Sequence, residues 1–141
     1  MKGAMVDSCV LLDVLTDDPD WFAWSSEALA ATADRGLLVI NPIIYAEVSI
    51  GFKRIEDLEA VLPESFVVLQ PIPREAAFLA GKVFLRYRRR GGIRSAPLPD
   101  FLIGAHAAVA NMPLVTRDTA RFRSYLPGVE LIEPGMNSGH H

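Results

Sequence analysis

A chain of 141 residues, half of them hydrophobic and 22% charged, is long enough for one globular domain with its own core and is unlike a disordered chain. Its net charge of −3 by itself argues against a nucleic-acid partner. The single cysteine, Cys9, excludes an intramolecular disulfide, and no Cys/His cluster has zinc-binding spacing, so we expect a protein of the reducing cytoplasm.

Apolar runs and helix-start signals alternate through the first half of the chain. A strand begins in "AMVDSCVLL" and runs into a helix over "DDPDWFAWSSEALAATADRG", with Asp18 as its cap, Pro19 in its first turn and Gly36 at its end. The run "LLVI" is typical of a buried parallel strand. Asn41 and Pro42 then begin a helix over "IIYAEVSIGFKR", and "RIEDLEAVL" predicts a further helix.

The second half continues the alternation. A strand is predicted for "FVVLQPI", followed by the amphipathic helix "PREAAFLAGKVFLRYRRR", which Gly91 and Gly92 end. The later elements are the helix "PDFLIGAHAAVAN", the strand "PLVT", the short helix "ARFRSYL" and the strand "VELIEP". This order predicts one α/β domain over residues 1–134, with a parallel sheet covered on both faces. Residues 135–141 are expected to be a disordered tail or the remnant of an expression tag.

Basic residues are concentrated in this second half. Of 14 lysines and arginines, only Lys2 and Arg35 precede residue 53, and five arginines fall in "RYRRRGGIR", residues 86–94. A local basic face can bind phosphate even on an acidic protein, because salt screens distant charges. The cluster therefore indicates contact with RNA or a partner, or else a solvated helix end whose cations suit the helix dipole.

No targeting or membrane segment is expected. Asp7 and Asp13 interrupt the apolar start that a signal peptide would need. The longest stretch without charged residues, 101–116, contains a histidine, an asparagine and a proline, and it is too short and too polar to span a bilayer.

Four carboxylates occupy unusual places. Asp7 and Asp118 follow predicted strands, and ligands of open parallel sheets bind at the carboxyl ends of strands where the strand order changes direction. Glu47 lies among Ile43, Ile44 and Ile50 on an apolar helix face, where an unpaired charge is costly. Asp100 lies in the first turn of an almost wholly apolar helix.

Each acid also has a purely structural explanation. Asp7 can begin a turn, Glu47 can tilt to the rim of its helix face, and Asp100 and Asp118 can cap helices. Together, however, four acids from two strand ends and two helices can meet in one cleft, where they repel each other unless a proton or cation intervenes. An all-oxygen ligand set suits Mg²⁺ or Mn²⁺, so the sequence predicts a metal site.

The ordered segments "VDSCVLLDVL", "IIYAEV", "LPDFLIGAHA", "LVTRD" and "LIEP" cover nearly the whole chain. This order resembles the PIN-domain ribonucleases, in particular the VapC-type toxins of bacterial toxin–antitoxin pairs. The resemblance implies a three-layer α/β/α fold with a parallel sheet of four to five strands, and cleavage of RNA with Mg²⁺ or Mn²⁺. It also implies a cognate antitoxin, and a homodimer or a toxin–antitoxin hetero-oligomer.

The resemblance assigns roles to residues of this chain. The four metal-binding acids of the family fall on Asp7, Glu47, Asp100 and Asp118, and the accompanying hydroxyl falls on Ser8 or Thr116. Asp7 is the expected bridging ligand, and either hydroxyl is expected to position the attacking water. Many relatives carry a further acid shortly after the fourth, whereas this chain has Arg121, which puts a second metal ion in doubt.

Other functions and residues remain open at this stage. The alternatives are a housekeeping PIN nuclease of RNA maturation or decay, and a non-catalytic PIN-like RNA-binding module. An aspartate-nucleophile phosphatase is disfavoured because "DSCVL" lacks a second acid two residues after the first. We expect His106 to be a buried histidine bonded to the backbone and Asp13 to be structural. Of Trp21, Phe22 and Trp24, at least one is expected to be exposed, because three aromatics within four positions cannot all face one way.

Overall fold

The computed structural model describes residues 3–94 and 98–135. Its strands are β1 Gly3–Val6, β2 Leu37–Ile40, β3 Val68–Leu69, β4 Leu114–Val115 and β5 Leu131–Ile132. Its helices are α1 Ser8–Leu15, α2 Phe22–Ala33, α3 Pro42–Ser49, α4 Ile55–Val61, α5 Arg74–Arg89, α6 Pro99–Val109 and α7 Ala120–Tyr125. Of the expected tail, residues 136–141 lie outside the described residues.

The strands form one five-stranded sheet in the order β3-β2-β1-β4-β5, and every neighbouring pair is parallel. The chain first builds outward from β1 through β2 to β3, then returns to the other side of β1 to add β4 and β5. The order therefore changes direction between β1 and β4, and a cleft at the carboxyl ends of these two strands is the expected place for a ligand. The predicted parallel α/β fold is confirmed.

Helices on both faces of the sheet complete a three-layer α/β/α sandwich. α1 packs on α2, whereas α5, α6 and α7 pack on one another and α3 contacts both α1 and α6. The β1 side chains from Ala4 to Val6 are buried, as are Phe101 and Ile103 of α6. Apolar residues thus cover both faces of the central strands, and the polar groups that follow the strands are held by a rigid core.

The helix boundaries that depend on local signals agree with the prediction at two points. Asn41 caps α3, since its Oδ1 accepts hydrogen bonds from the backbone N–H groups of Ile43 and Ile44, both at 3.0 Å. α5 ends as expected, because Gly91 adopts a φ of 92°, a left-handed conformation that glycine reaches without steric cost. No helix within the described ranges is long and apolar enough to cross a membrane.

The prediction missed the first helix. The segment after Asp7 forms α1, which the sequence signals did not separate from the strand before it or from the predicted helix after it. Asp18 does not cap a helix directly: its Oδ2 accepts from the backbone N–H groups of Asp20 and Trp21, and α2 begins only at Phe22. Asp18 therefore stabilises the turn between α1 and α2, and Pro19 lies in that turn.

Candidate metal centre

Asp7 and Thr116 lie side by side at the carboxyl ends of β1 and β4. The register pairs Val6 with Val115, and the Asp7 backbone N–H donates to the Val115 carbonyl at 2.9 Å. The Thr116 hydroxyl donates to Asp7 Oδ2 at 2.8 Å, and the Ser8 N–H donates to Asp7 Oδ1 at 2.8 Å. Both oxygens of Asp7 are therefore oriented by neighbours that the sheet itself positions.

Glu47 reaches the same end of the sheet from the half-buried face of α3. Its Oε1 accepts a hydrogen bond of 2.8 Å from the Ser8 hydroxyl. Ser8 thus contacts two acids at once, Asp7 through its backbone and Glu47 through its side chain. This contact settles the orientation that the sequence left open, because Glu47 points toward the start of α1.

Asp100 and Asp118 lie across a cleft of about 280 Å³ that is also lined by Ala120, Arg121, Ser124 and Tyr125. Asp100 is half-buried in the first turn of α6, and Asp118 is exposed after β4. Arg121 Nη1 lies 3.6 Å from Asp100 Oδ2. No lysine or arginine is adjacent to Asp100 in the sequence. The fold brings the Arg121 guanidinium to it from α7.

The pKa shifts record that the acids form one electrostatic cluster. Burial, followed by the charges of Asp100 and Glu47, raises the pKa of Asp7 to about 6, although the hydrogen bonds from Thr116 and Ser8 act in the opposite direction. Burial also raises the pKa of Asp100. Arg121 opposes that rise, while the charges of Glu47 and Asp118 add to it. The charges of the other predicted acids therefore act on Asp7 and Asp100, the two that are buried deeply enough to respond.

The donor chemistry of this cluster fits a hard divalent cation. Its available donors are carboxylate oxygens, and a divalent ion would offset both the burial and the repulsion that raise the pKa of Asp7. Among the described residues, no three His, Cys, Asp or Glu side chains are already arranged to hold an ion. Side-chain rotation would therefore be needed before several of these carboxylates could hold one ion.

Cys9 lies beside Asp7 but is not suited to nucleophilic chemistry. Its Sγ is 3.7 Å from both Asp7 Oδ2 and Thr116 Oγ1. Burial, together with the nearby charge of Asp7, raises the pKa of the Cys9 thiol to about 11. The thiol is therefore neutral at physiological pH, and the neutral form is a poor nucleophile and metal ligand.

Asp13 stands apart from the cluster and has its own partner. It is buried, and it accepts hydrogen bonds of 2.7 Å from both Nε and Nη2 of Arg117 and from the Ser25 hydroxyl. The Arg117 guanidinium also lies 5.0 Å from the centre of the Trp21 ring. This contact set fits the predicted structural role, and it links α1 to the segment between Thr116 and Asp118.

His106 is buried, as predicted, but its partner is a side chain. Asn41 Nδ2 donates to His106 Nδ1 at 3.2 Å, a direction fixed by the use of Asn41 Oδ1 as the cap of α3. Burial lowers the pKa of His106. The ring therefore stays neutral and serves to fasten α6 to the end of β2.

The arginine cluster divides into two groups. Arg86 donates to the Tyr125 carbonyl at 2.6 Å, and Arg90 donates to the Ser124 carbonyl and lies 4.8 Å from the centre of the Tyr125 ring. These two arginines fasten α5 to the end of α7. Arg88 and Arg89 lie on the same exposed helix end, where Arg88 donates to the Arg94 carbonyl at 2.5 Å. Through Arg86 and Arg90 the cluster borders the acidic cleft that Ser124 and Tyr125 line.

Sequence reasoning missed two functional neighbours, Arg121 as a partner of Asp100 and Arg117 as a partner of Asp13. The aromatic prediction is confirmed, because Phe22 is exposed while Trp21 and Trp24 are half-buried.

Solved structures of similar fold are toxin–antitoxin proteins. VapBC2 from Rickettsia felis, bound to a DNA fragment from its promoter, has a TM-score of 0.70 and 23% identity, over 93% of this chain and 98% of that chain. VapBC-1 from nontypeable Haemophilus influenzae has a TM-score of 0.71 and 18% identity, over 93% and 97%. A toxin–antitoxin complex from Klebsiella pneumoniae has a TM-score of 0.67 and 24% identity, over 89% and 94%. At these identities the likeness shows a shared fold.

At the level of sequence, no curated protein matches this chain. A family profile does: the profile of the PIN domain matches residues 4–125. That span contains most of β1, all of β4 and all four acids of the cluster, and the resemblance inferred from the ordered segments is confirmed at the level of the family. The chain belongs to the PIN domain family.

Proposed function

We propose that this protein is an endoribonuclease that depends on Mg²⁺ or Mn²⁺ and acts as the toxin of a type II toxin–antitoxin pair. One observation carries the proposal. Asp7, at the point where the strand order changes direction, is held among like charges that help to raise its pKa to about 6. A fold tolerates such a destabilising arrangement where function requires it.

The acids and hydroxyls have distinct roles in this proposal. Asp7, Glu47, Asp100 and Asp118 would supply the acidic site for the ion, with Asp7 as its central ligand. The Thr116 hydroxyl orients Asp7, and the Ser8 hydroxyl orients Glu47, at 2.8 Å each. Because both hydroxyls already donate to carboxylates, we assign them to positioning these ligands rather than the attacking water.

A divalent ion bound there would lower the pKa of a coordinated water and stabilise the charge that develops on the phosphodiester oxygens. The protein's own residues supply the approach. Exposed Asp118 and the open cleft beside Asp100 leave room for a phosphodiester backbone. Arg88 and Arg89 provide a positive field next to a cleft that would otherwise repel RNA.

The assignment as a toxin is supported by two further observations. The solved proteins of similar fold include toxin–antitoxin complexes, so a cytoplasmic antitoxin is the proposed partner, within a homodimer or a hetero-oligomer. The surface also carries large exposed apolar side chains that a protein partner would cover, among them Ile50, which is 85% exposed, and Phe78, which is 68% exposed.

The proposed activity is tested with total RNA. We expect the purified protein to cut RNA at defined positions when Mg²⁺ or Mn²⁺ is present. Cleavage should stop in EDTA and recover when Mn²⁺ is added back. Mapping of the new RNA ends gives the cleavage site. Cleavage that persists in EDTA would contradict the metal-dependent reading. RNA binding without cleavage under either ion would favour the non-catalytic module.

A growth assay distinguishes a toxin from a housekeeping PIN nuclease. Expression of the protein alone should arrest a bacterial culture, and co-expression of the product of a small neighbouring gene should restore growth. A housekeeping nuclease predicts no arrest and no such neighbour.

The basic cluster gives a matched prediction about RNA binding. Arg89→Ala should weaken binding and lower the slope of log affinity against log salt by about 0.7, the value for one phosphate contact on a single strand. Arg35→Ala removes the same charge between α2 and β2, at the opposite edge of the sheet, and should leave the slope unchanged. Fluorescence anisotropy on a background without cleavage, Asp7→Asn, measures both. If the two variants had equal salt-dependence slopes, the arginines of residues 86–94 would have a purely structural role.

A further inference from the structure

One acid of the cluster differs from the other three in its partner. Among the four acids, all of which lie in the described residues, only Asp100 has a lysine or arginine within ion-pair distance. The partner is Arg121, whose Nη1 lies 3.6 Å from Asp100 Oδ2, and both residues line the cleft together with Asp118. A positive charge is thus built into one side of an otherwise negative site.

The backbone that carries Arg121 is firmly placed. The next residue, Phe122, is buried, and Leu126 packs so closely on α6 that a side-chain carbon at Gly104 would clash with it. At the other end of α7, Arg86 and Arg90 bind the carbonyls of Tyr125 and Ser124. α7 therefore packs firmly on α6, and this packing brings the Arg121 guanidinium within reach of Asp100.

We propose that Arg121 serves as a fixed second cation in the site, an inference that rests on the proposed metal site. Its charge neutralises Asp100 and limits the site to a single divalent ion, on the side of Asp7 and Glu47. A second divalent ion between Asp100 and Asp118 would stand beside the guanidinium in a partly buried cleft. Like charges a few ångströms apart repel strongly where water screens them poorly. The guanidinium lies 3.6 Å from Asp100 Oδ2, so it already balances the charge that such an ion would otherwise attract.

A plain surface salt bridge is the competing explanation, since exposed pairs contribute little to stability and need no function. The two explanations differ in what happens when the charge is removed. A salt bridge predicts a small change in the melting temperature and no change in metal binding. A fixed second cation predicts that the vacated side of the cleft accepts another divalent ion.

Titration with Mn²⁺ alone distinguishes them, by calorimetry and by the electron paramagnetic resonance of free Mn²⁺. We expect wild type to bind one ion and Arg121→Gln to bind two. Arg121→Lys keeps the charge and should bind one. Arg123→Gln removes the same charge from α7 at a residue paired with Glu133, and it should also bind one. Melting curves without metal show that each variant is folded.

The outcomes are separable. Two ions on wild type, or one ion on a folded Arg121→Gln, would overturn the role given to Arg121 while leaving the metal site intact. No binding of Mn²⁺ by wild type would remove the metal site itself, and the inference with it. A second ion on both Arg121→Gln and Arg123→Gln would reduce the effect to net charge and would likewise overturn the proposal.

Discussion

Replacing Asp7 with Asn should abolish RNA cleavage and, at the same time, make the metal-free protein more stable at neutral pH. Asp7 is only 5% exposed, and its pKa rises from 3.8 to about 6 in the folded protein. That rise corresponds to roughly 3 kcal/mol of unfavourable free energy when the group is ionised. Asn has the same shape without the charge, so part of this free energy should be recovered.

The hydrogen bonds around Asp7 permit the exchange. The Ser8 N–H can still donate to an amide oxygen at the position of Oδ1. The Thr116 hydroxyl now donates to Oδ2, but it also lies 3.5 Å from the Asp118 carbonyl, to which it can turn and then accept from the new amide. We therefore expect a gain of about 1–2 kcal/mol and a rise in the melting temperature of roughly 5 °C.

The gain should depend on pH with a definite sign. Below the unfolded pKa near 3.8, Asp7 is protonated in both states, and the wild-type carboxyl carries no penalty. Between pH 4 and 6 the unfolded chain ionises while the folded protein keeps its proton, so wild type loses stability as the pH rises. The advantage of Asp7→Asn should therefore vanish as the pH falls below 3.8 and be largest above pH 6.

Thermal melts in EDTA from pH 3.5 to 8 measure this dependence, and RNA cleavage with Mn²⁺ measures the loss of function. Asp20→Asn is the control, because it removes an exposed charge from the turn before α2 and should change stability by less than about 0.5 kcal/mol. If the Asp7→Asn protein still cleaved RNA, the proposed metal site would be wrong. A variant that is inactive but less stable at pH 7 would make Asp7 an ordinary structural acid.

Much of the fold was predictable because its signals are local. Buried strands read as short apolar runs, Asn41 caps a helix with its own side chain, and Gly91 supplies a left-handed residue at a helix end. The alternation of such signals was enough to predict a parallel sheet with helices on both faces. α1 escaped prediction because the branched, apolar residues after Asp7 suit a strand or a helix equally, and packing on α2 decides between them.

The acids were predictable for a different reason. Strand ends share one edge of a parallel sheet, so Asp7 and the segment holding Asp118 were bound to lie close together once the strands were assigned. The partners of the acids were not predictable in the same way. Arg121 meets Asp100 only because α7 packs on α6, and a contact between helices leaves no periodic signal in the sequence.

The second large effect should come from Arg117→Met, which is expected to lower the free energy of unfolding by about 3 kcal/mol, the range for a buried ion pair that loses one partner. Asp13 is 3% exposed and accepts two hydrogen bonds of 2.7 Å from Arg117. Met keeps much of the packing on Trp21 but leaves the carboxylate with Ser25 as its remaining side-chain donor.

The pH dependence runs opposite to that of Asp7. Burial alone would raise the pKa of Asp13, but the hydrogen bonds from Arg117 and Ser25 and the charge of Arg117 lower it below its ordinary value of 3.8. The pair therefore stabilises the fold above pH 3.8, and this contribution is lost as the pH falls through the folded pKa. Arg117→Met should be furthest below wild type at neutral pH and should approach it in acid.

A double-mutant cycle with Asp13→Asn isolates the pair, measured by urea unfolding at pH 7 and pH 3.5. Asp13→Asn with Arg117→Met should be more stable at pH 7 than Arg117→Met alone, because no charge is then buried without a partner. A matched exposed pair is available in Arg54 and Glu56, where Arg54→Met should change stability by less than about 1 kcal/mol. If Arg117→Met behaved like Arg54→Met, the bridge from Asp13 to the segment between Thr116 and Asp118 would not hold the edge with the proposed metal site in place.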